Sequence, residues 1–490
     1  MEDINEETIE VKFVTRLGEN WRITDTPFSV PISLTRYGLS EIINHLIRGA
    51  KESESEEYQI TPFDFIIDGE FLRTSIKKHL RDRGIMGTEG TTVIEYTFAL
   101  AQPDDKPPFQ DDDWLSALCV FRTRNLDGKL SDVCVSAAYD GIVKLWNDRV
   151  EAEASNKRPD ERFEGLSEGV GVIKALCPII RKDASDFSTS TTATETDLFL
   201  SGAKDGDVKA WKLKPTMKKH AAKDAATGET AEGEAPSAGF DVSCVGVFVG
   251  HKGSVDSVDV SPDASRMCSA SWDKSIRLWD IADISRGEVS DGPSKKRKTG
   301  TEEDADDSLE RKAVARMKGH TEAISAVQWP THFQIISGSL DTTIRLWDVQ
   351  AGKNTSTLKG TKAVTTLAYN IENGLCVSGH NDGLLRFWDP RASGRNPIVK
   401  TLKAHKSWIS KVEWNPLRPS VFLSASYDSS LKIWDLRSTA AMNTAHPHKA
   451  DRDPGKVLCA GWWSKLDGSM EVISGGTDSC IARRSFNYSK

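Results

Sequence analysis

The stretch SASWDKSIRLWD, residues 269–280, contains the pattern that decides the fold of this 490-residue chain. Small residues lead to Asp273, and Trp279 follows six positions later at the end of an alternating stretch. Alternation of apolar and polar side chains is typical of a half-buried β-strand, and aspartate is favoured in the tight turn before it. A buried tryptophan adds a large apolar face and one N–H group that needs an acceptor. The stretch therefore predicts two strands joined by a turn at Asp273.

The same pattern occurs seven times along the chain. The seventh copy, SGGTDSCIARRSF (474–486), keeps Asp478 but has Arg484 where the Trp is expected. The other pairs are Asp140/Trp146, Asp205/Trp211, Asp273/Trp279, Asp341/Trp347, Asp382/Trp388 and Asp428/Trp434. The distance from Asp341 to Asp382 is 41 residues, and a four-stranded propeller blade takes roughly 40 to 45. The repeats therefore predict one blade per copy, with insertions in the early copies.

These copies resemble the WD-repeat family over roughly residues 110–490. The resemblance implies a mainly β chain with a seven-bladed β-propeller in residues 101–490. It also implies that His251, His320 and His405, which precede the third, fourth and sixth copies, bond the turn Asp and stiffen their blades. We interpret these Asp, His and Trp residues as a structural network, not as a catalytic site. The first, second and fifth copies lack this His, so we expect their blades to be tied less rigidly.

Closure of the ring requires one more strand. The seventh copy ends after its third strand, so the outer strand of that blade must come from elsewhere in the chain. We expect residues 93–101, just before the first blade, to supply it. A closed ring also removes the exposed sheet edges that promote aggregation.

Three stretches do not fit the blades: residues 181–196, 214–239 and 284–310. They have too little apolar content to offset the entropy of ordering, so we predict mobile insertions. Within the third, Lys295, Lys296, Arg297 and Lys298 follow a proline and predict a nuclear localisation signal. A solvated run of charges is the alternative interpretation.

The charge and cysteine patterns exclude several classes of protein. The net charge is −8, and residues 1–110 account for it with 20 acidic and 12 basic side chains. Such a balance disfavours a protein that binds RNA through its overall field. The eight cysteines include no CxxC pair, which argues against a zinc ribbon or a secreted disulfide framework. The acidic start and the lack of a long apolar run favour an intracellular, soluble protein.

Residues 1–100 follow a different pattern from the repeats. They predict the order strand, strand, helix, strand, strand, helix, strand, with a helix cap at Ser40 and a turn at Asp68-Gly69. The segments are TIEVKFVTR, WRITDTPFSVPI, LSEIINHLIRG, FDFIIDGEFLR for two strands, SIKKHLRDRG and TTVIEYTFAL. This is the order of a ubiquitin-like β-grasp, an α+β domain that precedes the propeller.

The two halves together resemble the Ytm-type family of WD-repeat ribosome-biogenesis proteins, with an NLE head and a propeller. The phrases SLTRYGLSEIINHL, PFDFIIDGEFLRTSI and VIEYTFALAQP carry this resemblance. It implies a non-catalytic assembly factor for the large ribosomal subunit, acting in rRNA processing in the nucleolus and nucleoplasm as part of the PeBoW complex. It implies that the propeller binds the partner called BOP or Erb, and through it Pescadillo, on the precursor particle. It also implies that the ATPase midasin grips the head; direct contact with RNA stays open, and no membrane is involved.

The same resemblance implies a functional carboxylate in the loop GIMGTEGTTV, where Glu89 is the matching residue. Glu89 would complete the coordination of a Mg²⁺ ion held by the metal-ion-dependent adhesion site of midasin, because a hard cation prefers carboxylate oxygen. The chain itself would need no cofactor and no intrinsic metal site. The rival carboxylates are Asp68, Glu70 and Glu95, and a solvated surface glutamate is the plain alternative.

Two other classes of function fit the sequence less well. A WD-repeat adaptor of a ubiquitin ligase would fit the two domain types, but the ubiquitin-like part runs through Ala99-Leu100 without the Gly-Gly tail needed for conjugation. An enzyme is disfavoured because the sequence lacks GxxxxGK[ST], GxSxG and HExxH motifs. His446 and His448 flank a proline, and two histidines without further ligands make a poor metal site.

Overall fold

The computed structural model describes residues 7–50, 61–84, 91–99, 103–147, 161–162, 172–180, 195–218, 237–287, 310–391, 397–448, 455–465 and 469–486. The chain divides into two compact units. The first contains Met1–Asp104, Ile433–Thr444 and Ser485–Lys490, and the second contains Asp105–Lys432 and Ala445–Arg484.

The N-terminal part of the first unit is a five-stranded mixed sheet packed against a helix. Its elements are β1 (Thr8–Val14), a 3-10 turn (Glu19–Trp21), β2 (Phe28–Pro31), α1 (Arg36–Ala50), β3 (Phe63–Ile67), β4 (Glu70–Phe71), α2 (Ile76–Asp82) and β5 (Thr92–Phe98). The strand order is β2-β1-β5-β3-β4, with β1 and β5 parallel in the centre. Leu39, Ile43 and Ile47 of α1 share a core with Phe13 and Phe65. This order confirms the predicted β-grasp domain.

Two local predictions for this domain are wrong. Helix α1 begins at Arg36, so Ser40 lies inside the helix and does not cap it. Its Oγ instead accepts a hydrogen bond of 3.0 Å from the backbone N–H of Phe63, which ties the helix to β3. Only Phe28–Pro31 of the predicted second segment pairs with β1. The turn at Asp68-Gly69 has φ angles of 49° and 77°, as a two-residue hairpin turn requires.

Strand β6 (Asp104–Gln110) follows, and the later strands form seven sheets within the described residues. The first sheet contains β7 (Leu115–Arg124), β8 (Leu130–Ala138), β9 (Val143–Asn147) and β10 (Glu161–Arg162). The second contains β11 (Ile173–Pro178), β12 (Leu198–Ala203), β13 (Val208–Lys218), β14 (Ser237–Phe248) and, past the short helix α3 (Ala282–Ser285), β18 (Glu310–Arg311). The third contains β15 (Val255–Val260), β16 (Arg266–Ser271), β17 (Ser275–Asp280) and β19 (Ala315–Lys318).

The remaining four sheets have the same four-stranded plan. The fourth contains β20 (Ile324–Thr331), β21 (Gln334–Ser339), β22 (Thr343–Asp348) and β23 (Lys353–Lys359), and the fifth contains β24 (Val364–Asn370), β25 (Leu375–His380), β26 (Leu384–Trp388) and β27 (Ile398–Lys403). The sixth contains β28 (Ile409–Trp414), β29 (Val421–Ser426), β30 (Leu431–Asp435) and β31 (Asn443–Ala445), and the seventh contains β32 (Val457–Ser464), β33 (Met470–Gly476), β34 (Cys480–Phe486) and β6. Each predicted repeat therefore becomes one sheet.

The first strands of the seven sheets pack against one another in order, and β32 packs against β7. The sheets are therefore the blades of a closed ring, which confirms the predicted seven-bladed propeller. The outer strand of the seventh blade is β6. Our expectation that residues 93–101 close the ring is wrong, because β5 pairs with β1 and β3 in the β-grasp sheet. Strands β5 and β6 are both extended, and only their long-range pairing distinguishes the strand of the β-grasp sheet from the strand that closes the ring.

The turn Asp residues are followed by residues in the left-handed region. Their φ angles lie between 59° and 101°, at Gly141, Gly206, Lys274, Thr342, Gly383, Ser429 and Ser479. Glycine adopts this region without steric cost. At Gly383 a side chain would also meet the carbonyl oxygen of His405, so the turn needs glycine there.

The predicted insertions lie mostly outside the described residues. Their ends differ from the prediction, because Lys214–Lys218 of β13 pair with Ser237–Asp241 of β14. The third insertion likewise begins within α3 and ends in β18. The predicted segments 214–239 and 284–310 are therefore too long.

Candidate functional site

The third, fourth and sixth blades share a network of buried side chains. In the third blade, the Trp279 Nε1–H donates to Ser269 Oγ at 2.8 Å, and Ser269 Oγ lies 2.7 Å from His251 Nε2. His251 Nδ1 lies 3.0 Å from Asp273 Oδ2. An ionised carboxylate can only accept, so Nδ1 carries the proton and Nε2 accepts from the serine. The chain of bonds thus joins β16, β17 and the turn between them to the loop that precedes the blade.

The fourth and sixth blades repeat this geometry. His320 Nδ1 lies 2.8 Å from Asp341 Oδ2, and its Nε2 lies 2.7 Å from Ser337 Oγ. His405 Nδ1 lies 3.2 Å from Asp428 Oδ2. The histidines of these blades are buried, and their partners Asp273, Asp341 and Asp428 are half-buried. The three His–Asp pairs therefore form part of the scaffold.

The turn carboxylates of these blades have strongly shifted pKa values. Burial raises the pKa of Asp273, but hydrogen bonds from His251 and Ser275 outweigh burial, so the pKa lies well below its ordinary value. Burial also raises the pKa of Asp341 and Asp428, and hydrogen bonds from their His and hydroxyl partners again outweigh burial and keep each pKa well below its ordinary value. All three carboxylates are therefore ionised at neutral pH.

Two blades use histidines that the sequence patterns did not reveal. In the seventh blade, His448 Nδ1 lies 2.9 Å from Asp478 Oδ1, and its Nε2 lies 3.0 Å from Ser474 Oγ. In the fifth blade, His380 belongs to β25 itself, and its Nε2 lies 2.7 Å from Ser378 Oγ. The fifth blade therefore has a histidine network although Gly360-Thr361 lacks the histidine expected before it.

The first two blades depart further from the pattern. In the first, Asp111 replaces the histidine: it accepts from Ser136 Oγ at 3.1 Å and forms an ion pair with Lys144, both almost fully buried. In the second, the Trp211 Nε1–H donates to Ser201 Oγ at 2.8 Å. Asp205 accepts only the backbone N–H of Asp207 among the hydrogen bonds within the described residues.

Side chains on the inner strands connect neighbouring blades. Asp259 Oδ2 of the third blade accepts from the backbone N–H of Trp329 in the fourth at 2.6 Å. Gln328 Oε1 accepts from Tyr369 in the fifth at 2.5 Å. Glu413, whose pKa is raised by burial, makes a longer contact of 3.5 Å to Trp462 in the seventh. Such bonds join sheets that otherwise meet through apolar packing.

The candidate metal-binding glutamate, Glu89, lies outside the described residues. Its neighbours on both sides are defined: α2 ends at Asp82, Gly84 has a φ of 69°, and β5 begins at Thr92. Residues 85–90 are therefore the connection between the second helix and the last strand of the β-grasp domain, as the sequence predicts.

Two of the three rival carboxylates, Glu70 and Glu95, form ion pairs with arginines inside the first unit. Arg83 forms an ion pair with Glu70 and lowers its pKa through a hydrogen bond. Glu95 lies 2.8 Å from Arg437 Nη1. Asp68 has a positive φ and forms the β3–β4 turn. A partner's cation would have to compete with arginine at Glu70 and Glu95.

Lys295, Lys296, Arg297 and Lys298, the predicted localisation signal, lie outside the described residues. Two further side chains, Trp408 and Arg484, are defined in the structure. Trp408 is exposed over 51% of its surface. Arg484, the residue in the missing Trp position, forms a 2.7 Å ion pair with Asp105 and helps to hold β6 on β34.

The described residues contain no group of three His, Cys, Asp or Glu side chains that could hold a metal ion. They also contain no helix that is long and apolar enough to cross a membrane.

Two domain families match the sequence. The NLE (NUC135) domain matches residues 9–80, and the WD domain, G-beta repeat, matches residues 242–280, 311–348, 352–389 and 396–435. The four WD matches cover the third to sixth blades, whose turn Asp, Trp and Ser positions are complete. The other three blades depart from the repeat. The first has the Lys144–Asp111 ion pair, the second has Asp205 without a histidine before it, and the seventh has Arg484 at the Trp position.

Whole-length relatives share both parts of the chain. "Ribosome biogenesis protein WDR12 homolog" of Oryza sativa subsp. japonica is 33% identical over 482 residues, covering 97% of this chain and 96% of that protein. The protein of the same name from Chlamydomonas reinhardtii is 32% identical, with 99% of each chain covered. "Ribosome biogenesis protein YTM1" of Eremothecium gossypii is 29% identical, with 96% of each covered.

The chain belongs to the WDR12/YTM1 family. This membership confirms the family predicted from the head and the repeats together. The NLE match ends at residue 80, before the loop 85–90, so Glu89 lies beyond the matched part of the WDR12/YTM1 head.

Proposed function

We propose that the chain is a non-catalytic assembly factor that acts in rRNA processing and maturation of the large ribosomal subunit. The observation that carries this proposal is the whole-length similarity to proteins named for ribosome biogenesis. The burial of His251, His320 and His405 and their contacts with the turn Asp residues support a scaffold role, because these side chains stabilise the blades. A role in the nucleus follows, in the nucleolus and the nucleoplasm, with Lys295 to Lys298 as the import signal.

The propeller is proposed to bind the BOP/Erb partner and, through it, Pescadillo on the precursor of the large subunit. A closed ring with networks in five of its blades offers a rigid surface for such a partner. Rigid surfaces lose less conformational entropy on binding.

The head is proposed to be the handle for the ATPase midasin. Glu89 would donate a carboxylate oxygen to a Mg²⁺ ion held by the adhesion site of that partner. The occupation of Glu70 and Glu95 by arginines supports this choice.

The test is binding of the full-length chain to the isolated adhesion-site domain of midasin in magnesium buffer. Loss of one partner from a desolvated charge contact costs about 2 to 5 kcal/mol, or roughly thirtyfold to several-thousandfold in affinity. Glu89→Ala should show this loss, and Glu89→Asp should lose much of the binding because its oxygen is withdrawn from a fixed metal. A chelator should release the wild-type complex.

Glu19→Ala is the matched control, because Glu19 is an exposed glutamate in another part of the domain. Equal affinity of the Glu89→Ala and Glu19→Ala variants would disprove the role of Glu89. Retention of the BOP/Erb partner by Glu89→Ala would show that the propeller is intact.

A further inference from the structure

The second unit carries aromatic side chains that are exposed at one end of its sheets. Trp114 and Trp408 are each 51% exposed, Trp272 is 55% exposed, and Tyr427 is 36% exposed. Tyr139 is half-buried beside Trp114. We call these five residues the aromatic arc. Large aromatic side chains are normally buried, so a cluster of exposed ones is typical of an interaction site.

The residues of the arc occupy equivalent positions in different blades. Trp114 and Trp408 directly precede the first strands β7 and β28, whereas Tyr139, Trp272 and Tyr427 directly precede the turn Asp. The backbone N–H of Tyr139 donates to the carbonyl of Trp114 at 2.9 Å, and that of Tyr427 donates to Trp408 at 3.0 Å. The first strands pack side by side around the ring, so these positions all lie on the face where those strands begin.

The same local arrangement is built twice. Trp114 and Tyr139 of the first blade pack edge to face with ring centroids 6.0 Å apart, and Trp408 and Tyr427 of the sixth blade stack at 6.4 Å. In each case a lysine from the following blade lies over the tyrosine. Lys174 Nζ is 4.0 Å from the Tyr139 ring centroid, and Lys456 Nζ is 5.6 Å from that of Tyr427.

The two arrangements are contiguous around the ring. The sixth blade carries the pair Trp408 and Tyr427, and the seventh carries Lys456. The first blade carries the pair Trp114 and Tyr139, the second carries Lys174, and the third carries Trp272. Neither lysine forms an ion pair with a carboxylate of a described residue, although Lys174 acts on Asp256 at longer range. Lys174 Nζ donates a hydrogen bond to the neutral hydroxyl of Tyr139 at 2.9 Å, which does not neutralise its charge. Two ammonium groups without an ion pair to a described carboxylate thus lie beside several exposed apolar faces on one surface.

We propose that the aromatic arc binds an extended protein segment in which acidic side chains alternate with apolar or aromatic ones. The acidic groups pair with Lys174 and Lys456, and the apolar groups cover Trp114 and Trp408. Aromatic residues at the centre of an interface contribute a large share of its binding energy. This inference rests on the proposed function, and the segment belongs to the BOP/Erb partner.

A protein segment fits this surface better than RNA does. Asp112 and Asp113 directly precede Trp114, and Asp256 accepts a hydrogen bond from Trp272 Nε1. Carboxylates in the middle of the arc, beside Trp114, and at its third-blade end would repel a continuous phosphate chain. A peptide can place one acidic residue against each lysine and avoid the carboxylates.

The test measures binding of the purified full-length BOP/Erb partner to the purified full-length chain. Trp114→Ala/Trp408→Ala should weaken binding by about thirtyfold or more. Lys174→Glu/Lys456→Glu should weaken it by roughly tenfold at low salt and less at high salt. Both double variants change half-buried or exposed positions, and their thermal unfolding shows whether the propeller stays folded.

The matched control is Phe333→Ala/Lys129→Glu. These exposed residues lie in the β20–β21 and β7–β8 turns, at the opposite end of their sheets. The control should bind with wild-type affinity. Equal loss in the control and in the arc variants, or no loss in either, would overturn the inference.

The outcomes separate this inference from the proposed function. If the wild-type chain does not bind the partner, the proposed function of the propeller and the inference both fail. If it binds and the arc variants bind equally well, only the inference fails. If a single-stranded uridine oligomer binds the wild type tightly and the arc variants lose it, the arc is an RNA site and the protein segment is rejected.

Discussion

His448 Nδ1 lies 2.9 Å from Asp478 Oδ1, so the seventh blade has the histidine–aspartate pair of a complete repeat. His448 is fully buried, whereas His446, two residues earlier, is exposed. Replacement of His448 by alanine should lower the apparent free energy of unfolding of the propeller by about 2 kcal/mol or more, because Asp478 and Ser474 lose a buried partner. Urea denaturation followed by tryptophan fluorescence measures this change.

His446→Ala is the control for that experiment. It should leave the unfolding midpoint unchanged. Identical midpoints for the two alanine variants would show that the His448 network does not stabilise the blade.

The buried Lys144–Asp111 pair predicts a strongly non-additive result. Lys144→Met alone leaves Asp111 buried without its cation and should cost about 3 to 5 kcal/mol. Lys144→Met combined with Asp111→Asn removes both charges and should recover most of that loss. Thermal unfolding of the wild type, both single variants and the double variant gives the coupling energy. Additive effects would contradict a direct interaction.

His380 predicts a pH-dependent stability. Burial, with a smaller effect of Arg386, lowers the pKa of His380 to about 4, below the ordinary value of 6.5. The unfolded chain therefore binds a proton at a higher pH than the folded chain, and stability falls as the pH drops from about 6.5 to about 4. The fall attributable to His380 should reach roughly 2 kcal/mol by pH 5.

Comparison with His380→Gln isolates this contribution. The stability difference between the wild type and the variant should be largest at pH 7.5 and should narrow by pH 5. Other titrating groups, including His405, are common to both proteins. A difference that is independent of pH would mean that His380 does not titrate as described.

The assignment of β6 as the closing strand predicts different behaviour for two truncations. Removal of residues 1–102 keeps β6 and should leave a soluble propeller. Removal of residues 1–110 exposes the edge of β34 and should lower the thermal midpoint and promote aggregation. Scanning calorimetry measures the thermal midpoint of each truncated protein, and gel filtration measures its aggregation. The result contradicts the assignment if the two truncated proteins unfold at the same temperature.

The sequence was sufficient for the fold because its signals are local and repeated. The turn Asp, followed six residues later by Trp in six of the seven copies, predicted every blade, and only the outer strand of the seventh was assigned wrongly. The prediction failed at Ser40 by one helical turn, since an internal serine can also bond a neighbouring strand. It failed for residues 93–101 because alternation shows that a segment is extended and does not reveal its partner.

The histidine of the network was harder to predict where the loop length changes. The His–Asp separation is 22, 21 and 23 residues in the third, fourth and sixth blades, but it is 30 in the seventh. His380 comes from a strand, and Lys144 with Asp111 replaces the histidine altogether. The aromatic arc was missed because its residues are adjacent only in the closed ring. Glu89 remains a prediction.

The origin of β6 also has a consequence for how the chain is made. Cys480 lies beside Gln110, 370 positions away, so translation completes the final blade only when its last strand leaves the polypeptide exit tunnel. Contacts so distant in sequence carry a high closure entropy and form slowly. The ring therefore stays open at both ends while the first six blades are synthesised. Chaperones that bind nascent chains have their greatest opportunity to act during that interval.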